Sequence, residues 1–172
     1  MLTGALFVVL ALLAHGAQAR GVSDFRSLTL YSTVNKVQFL ANVDDEARGY
    51  VDNPFGFHSK GAATSKEDQN GPFPGDEAFF SFHLYSDAAH HKPAGVAIFS
   101  CQYYFNRNAF CTASYQLKSG NVIAGGASQF NANNFTLAVT GGTGAYTNTA
   151  GAIEITEGSS GNSQRLRFVL LK

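Results

Sequence analysis

Apolar and polar positions alternate along much of the chain. Ala109, Cys111, Ala113, Tyr115 and Leu117 alternate with Phe110, Thr112, Ser114 and Gln116. Phe135, Leu137 and Val139 alternate with Thr136, Ala138 and Thr140. A period of two marks a strand with one face buried. In "GVAIFSCQYYF" (95–105), Ala97, Phe99, Cys101, Tyr103 and Phe105 form the more apolar set. "SLTLYSTVNKVQFL" (27–40) is rich in β-formers, and "EAFFSFHLY" (77–85) is apolar on both faces. "NVIAGGASQF" (121–130) is a strand weakened by Gly125 and Gly126, and "GAIEIT" and "QRLRFVLL" complete the set. The stretch from Tyr50 to Gly75 is broken by prolines and glycines and reads as loop with one short strand. No segment holds a 3.6-residue apolar period over about ten residues. Eight or so strands joined by short turns predict an all-β antiparallel sandwich or barrel.

The turns sharpen this picture. Asn106-Arg107-Asn108 joins two of the strands, and a hairpin centred on Asn106 sets Cys101 directly across from Cys111 on one face. Opposed positions are close enough for a disulfide; two free buried thiols are the alternative. "TGGTGAYTNTAG" places Gly141, Gly142 and Gly144 between two strands. A phosphate-binding loop needs a lysine after its last glycine and a helix behind it. Here Ala145 follows and the chain continues as turn and strand, so the glycines are read as a tight turn.

Length and charge bound the function. The chain has 172 residues, enough for one domain, and 12 basic residues balance 12 acidic ones. No Lys/Arg cluster stands out, so a nucleic-acid partner is not expected. "ALFVVLALLA" (5–14) followed by Ala17-Gln18-Ala19 has the form of a secretory leader. It is too short for a membrane-spanning helix, which needs about 20 apolar residues. The expected division is a signal peptide over 1–19 and one barrel domain over 20–172, secreted and extracellular, without stable membrane insertion. An oxidising destination favours the Cys101–Cys111 bridge over free thiols.

Candidate chemistry is sparse. His90 and His91 are adjacent, so in a strand they would point to opposite faces. With His83 they lack the carboxylate or cysteine spacing of a metal site, and no metal or other cofactor is expected. Arg165 and Arg167 share one face of the last strand, as a solvated or ion-paired row or as an interior anion site. Asn134-Phe135-Thr136 is a glycosylation sequon, relevant in a eukaryotic source. No G-x-S-x-G elbow supports a serine nucleophile.

Several of these segments resemble one family in order. "FTLAVTGGTGAYTNTAGAIEI" resembles the late hairpin of the allene oxide cyclase and dirigent barrel superfamily. "PGDEAFFSFHLYS" (74–86) resembles its Gly-Asp strand, and "AGVAIFSCQYYF" the strand that follows, with a cysteine at Cys101. "FCTASYQLKSGNVIAGG" and "RLRFVLL" continue the order, while 41–71 matches poorly. Two cysteines around this hairpin are similar to small secreted microbial members. The resemblance implies an eight-stranded antiparallel β-barrel, often a trimer, whose apolar interior binds small lipophilic molecules.

The catalytic groups of that family are not matched. Where the plant cyclases carry a glutamate on the first strand, this chain has Ser32, with Val34 at a polar neighbour's place. Phe82 stands where the asparagine that holds a water would be. The two dirigent acids fall on Ala145 and near Phe82 and His83. Asp76 matches the Gly-Asp pair but also suits a turn cap. The inward positions the resemblance implies are Leu30, Ser32, Val34, Ala78, Phe80, Phe82, Phe99, Cys101 and Tyr103. Of these, Ser32, Phe80, Phe82 and Tyr103 are the candidate ligand-binding residues. Two functions follow: a cyclase-like or dirigent-like catalyst that holds a reactive molecule in one conformation, and a noncatalytic secreted binding or host-interaction protein. The apolar outer side of "EAFFSFHLY" calls for a cover, which the resemblance supplies as a homo-oligomer contact.

Overall fold

The structure is a computed structural model that describes residues 25–40, 50–52, 58–60, 72, 74–129, 132–158 and 162–171, with backbone only for 50–52, 58–60 and 105. The expected leader lies outside the described residues. Ten strands are seen: β1 (Phe25–Leu40), β2 (Tyr50–Asp52), β3 (His58–Lys60), β4 (Glu77–Tyr85), β5 (Pro93–Tyr103), β6 (Asn108–Leu117), β7 (Gly120–Gln129), β8 (Phe135–Gly142), β9 (Ala150–Glu157) and β10 (Ser163–Leu171). Eight of them close a barrel in the order β1-β10-β9-β8-β7-β6-β5-β4, with every neighbour antiparallel. β2 and β3 pair as a separate two-stranded ribbon.

From β4 to β10 each strand pairs with the next, as short turns dictate. β1 closes the barrel because it is long enough to serve two partners. Its first part, Phe25–Thr33, pairs with β10, and Tyr31–Leu40 pairs with β4. A bulge between Val34 and Lys36 bends the strand between these duties.

The alternation seen in sequence becomes inside and outside. Leu30, Leu84, Tyr115, Val122, Leu137, Ile153 and Phe168 are buried in one core. Bulky and small side chains share each layer: Phe99 pairs in register with Ala113, and Ala113 with Ala124. That alternation lets large rings from one side fill a narrow barrel. Tyr115 and Phe168 meet edge to face at 5.0 Å across it.

The glycine-rich turn closes one end. After β8 the chain makes a single 3₁₀ turn, Gly144–Tyr146, and Tyr146 is buried in the core. Thr143 and Asn121 exchange bonds: the Thr143 N–H donates to the Asn121 carbonyl at 2.9 Å and the Asn121 N–H to Thr143 Oγ1 at 3.0 Å. The Ser119 hydroxyl donates to the Tyr146 hydroxyl at 3.2 Å. Gly144 sits at φ 60°, a left-handed conformation, and a Cβ there would meet the Ser119 carbonyl at 2.5 Å. A Cβ at Gly142 would lie 2.7 Å from that of Tyr146. The glycines let the chain approach closely enough to seat a tyrosine as a plug.

Charge is unevenly spread. β5, β6, β7 and β8 contain no Lys, Arg, Asp or Glu. Ile98, Phe110 and Ile123 stand exposed on their outer side. The charged strand residues lie mainly on β1, β9 and β10, where Arg167 pairs with Glu154 at 3.0 Å. Arg165 and Arg167 are both exposed and form no interior anion site.

Candidate functional site

At the end opposite Tyr146 the described residues leave a hollow. There β4 to β8, β10 and the loop before β8 surround a cavity of about 370 Å³. Its size suits a small molecule. Phe80, Phe82 and Tyr103, all singled out from sequence, line it together, and Phe99 and Phe135 add two more aromatic rings. Phe80 and Phe82 are near-parallel, 6.1 Å apart with 19° between planes. Phe82 meets Phe99 edge to face at 5.3 Å. These contacts arrange the rings as a wall of flat surfaces.

One side of the wall is the disulfide. Cys101 and Cys111 pair in register between β5 and β6, with S–S 2.05 Å and Cα–Cα 4.0 Å. Both are buried and both line the cavity. The bridge therefore ties together two strands that carry the site.

Among the described residues polar groups are few, and no charged side chain lines the cavity. Ser128, Gln129 and Gln164 supply amide and hydroxyl groups. Ser32 is 1% exposed and stands behind the wall, donating to Gln164 Oε1 at a long 3.4 Å. It touches the site through Gln164.

The mouth has a buried acid beside it. Asp76 is 2% exposed and precedes β4 opposite Tyr103. The Tyr103 N–H donates to the Asp76 carbonyl at 2.8 Å and the Gly75 N–H to that of Tyr103 at 2.9 Å. Burial, and then the negative charge of Asp76, push the Tyr103 phenol above its ordinary range. Asp76 is thus more than a turn residue.

The rim is apolar. In register Val34 faces Phe82, Val37 faces Phe80 and Phe39 faces Ala78. The Phe39 ring lies 6.2 Å from that of Tyr103. Val34, expected to face inward, is exposed: it pairs with Phe82 of β4, but the pairing of β1 with β10 has ended at Thr33. Val37 and Phe39 are 57% and 49% exposed and form a lip leading to the cavity.

Sequence reading missed Gln164, Phe135 and Gln129. The first two sit on the buried parity of their strands, with Leu166 and Leu137, a signal that was available. Gln129 ends β7, where alternation gives no guide. His83 is exposed on the outer side of β4. His90 packs between Tyr31 and Tyr85 at 6.5 and 5.0 Å, on a turn whose Asp87 carboxylate accepts the N–H groups of His91 and Lys92. Among the described residues no cluster of three metal-ligating side chains occurs.

A larger hollow, about 570 Å³, lies at the plugged end between Phe25, Arg26, Ala145, Tyr146 and Leu171. Tyr146 separates it from the interior, so it is an outer recess. Ala145, at the place of one dirigent acid, therefore lies far from the aromatic cavity.

No protein-family model matches the chain, and no curated protein matches it in sequence. Solved structures do match in shape. A pyocyanin demethylase superposes with TM-score 0.58 at 21% identity, over 84% of this chain and 99% of its own. The exo-specific intermolecular Diels-Alderase AbnU superposes at 0.56 and 14% identity, over 86% and 98%. The pterocarpan synthase dirigent protein PsPTS1 does so at 0.55 and 13%, over 86% and 95%. The chain therefore has the closed eight-stranded barrel fold found in dirigent proteins and in cyclase-type enzymes.

Proposed function

We propose that the protein is a secreted dirigent-like barrel that holds a small hydrophobic molecule in the aromatic cavity and guides its cyclisation or coupling. The observation that carries this reading is the cavity itself, which among the described residues is aromatic, without charged lining and edged by the apolar side chains of Val37 and Phe39. Burying a flat apolar molecule there removes apolar surface from water on both partners, worth about 25 cal/mol per Å² before the costs of binding. Holding a flexible reactant against fixed rings lowers the entropic part of a cyclisation barrier without charged groups. The names of the structural neighbours, a Diels-Alderase and a pterocarpan synthase, support chemistry of this kind.

A noncatalytic binding protein would need the cavity alone. The pair Asp76 and Tyr103 at its mouth favours the catalytic reading, because a buried acid beside a phenol can hold or move a proton. The disulfide suits an extracellular address, and N-terminal sequencing of secreted protein should begin at Arg20. The charge-free outer side of β5 to β8 is where further copies of the chain pack, giving a homo-oligomer, proposed as a trimer. The deciding experiment is mass spectrometry of lipophilic molecules extracted from natively purified protein. A co-purified ligand that Phe82→Asp loses supports the reading. A protein that carries none and takes up no neutral aromatic probe refutes it.

A further inference from the structure

Tyr115 is completely buried at the centre of the barrel. Its ring stands edge-on to Phe99 at 5.6 Å and to Phe168 at 5.0 Å. Its hydroxyl has no hydrogen-bond partner among the described residues. Phenylalanine would fill almost the same volume without burying an unsatisfied polar group. Burial holds this phenol far above its ordinary range, so it remains an O–H donor.

The Tyr115 ring packs against Phe99, a residue that lines the cavity, but Tyr115 itself does not line it. Tyr115 pairs in register with Ala97, and Phe99, two residues on along β5, pairs with Ala113. Tyr115 is thus one inward layer below Phe99, which lines the cavity floor. Along that upper layer the next inward residues are Ala113 and Ala124. On the β4 side Phe99 pairs in register with Phe80 and meets Phe82 at 5.3 Å, so the room for its ring lies on the Ala113 and Ala124 side. A turn of its ring would bring the cavity down to Tyr115.

We propose that Tyr115 is the hidden hydrogen-bond donor of the cavity, reached when Phe99 turns aside, and that the ligand is a planar aromatic molecule carrying a carbonyl-type acceptor. The inference rests on the cavity being the binding site. It adds a specificity-determining residue and the ligand's polar group. A neutral donor in an apolar surround discriminates strongly, because an analogue lacking the acceptor leaves the hydroxyl unsatisfied. A hydrogen bond there would also draw electron density toward the carbonyl oxygen, the polarisation that activates an adjacent double bond for ring closure.

Two probes of one shape test it: 6-propionyl-2-dimethylaminonaphthalene and its 6-propyl counterpart, which lacks the carbonyl. The intact protein should bind the ketone about tenfold more tightly, and the bound ketone's infrared carbonyl stretch should lie below its value in an apolar solvent. Tyr115→Phe should bring the two affinities together and return the stretch to its value in an apolar solvent. Phe99→Ala should strengthen ketone binding more than propyl binding, and Tyr115→Phe in that background should remove the gain. Equal affinities in the intact protein, or a ketone preference that survives Tyr115→Phe, would overturn the role of Tyr115 while leaving the cavity as a binding site. Failure of both probes to bind the intact protein would overturn the cavity reading, and this inference with it. Should Tyr115→Phe not fold, the carbonyl stretch in intact protein decides: a bound stretch at its apolar-solvent value sinks the proposal.

Discussion

Asp76 and Tyr103 stand opposite each other at the cavity mouth, joined by the Tyr103 N–H to Asp76 carbonyl bond at 2.8 Å. The carboxylate is buried, and its charge adds to the burial that already raises the Tyr103 phenol. Asp76→Asn should therefore lower the ionisation of Tyr103 but leave it above its ordinary value of 10.0, since burial remains the larger cause. Phenolate absorbance during titration, with Tyr103→Phe as the reference, measures this. An unmoved titration would mean that the charge of Asp76 does not reach the phenol.

Tyr103 and Tyr115 together set a limit at high pH. In the unfolded chain each phenol ionises near 10.0, and in the folded protein both hold their protons to higher pH. Their contribution to stability is full below pH 10 and is lost as pH rises from there through the folded values. Tyr115→Phe should move base-induced unfolding to higher pH. Circular dichroism across an alkaline titration would detect it, and an unchanged midpoint would count against Tyr115 as a buried proton.

Phe82 tests the cavity directly. It is 5% exposed and touches both Phe80 and Phe99. Phe82→Asp sets a carboxylate against apolar rings and should abolish binding of a neutral naphthalene probe. His83→Ala, on the outer side, should leave binding within about twofold, a difference of under 0.5 kcal/mol. Lys118→Ala, on an exposed turn, should do the same. Fluorescence titration with circular dichroism as the folding check separates these outcomes. Loss of binding in His83→Ala with normal binding in Phe82→Asp would relocate the site.

Much of this was legible in the chain. Period-two patterning placed β5, β6 and β8, β-former and apolar composition placed the other barrel strands, and the three-residue link at Asn106 set Cys101 opposite Cys111. Phe80, Phe82 and Tyr103 follow from one strand parity on each side of that register. Ser32 did not follow as cleanly, because a side chain can face inward and still stand behind a larger neighbour such as Gln164. The lip of Val37 and Phe39 was hidden by the bulge at Val34/Lys36, which shifts parity by one residue without a glycine or proline to mark it. The ribbon β2–β3 falls where prolines and glycines mask short strands. Tyr115 looked like any other core position, since an unsatisfied hydroxyl is a fact of three dimensions.

The disulfide should matter to both stability and site. It closes a separation of 10 residues, worth roughly 2–3 kcal/mol in the chain-entropy view. Cys101→Ala with Cys111→Ala should lower urea stability by about that amount. Because both sulfurs line the cavity, probe affinity should fall as well. Unchanged stability, or two alkylatable thiols in the native protein, would show that the bridge is not formed.

Assembly is the remaining test of the outer surface. Four successive strands without a single charged residue are unusual for a solvated barrel wall, and Ile98, Phe110 and Ile123 stand exposed along them. Ile98 and Ile123 flank Ser114 across neighbouring strands, so they form one row. Phe110 leans toward the bare backbone of Gly125, leaving a flat contact surface. Light scattering should give about three times the mass of one chain. Ile98→Lys combined with Phe110→Lys should reduce it to one chain, since two desolvated ammonium groups without partners oppose association. Circular dichroism should stay unchanged, because both side chains point away from the core. A native protein at the mass of one chain would contradict the assembly and leave the uncharged wall facing solvent.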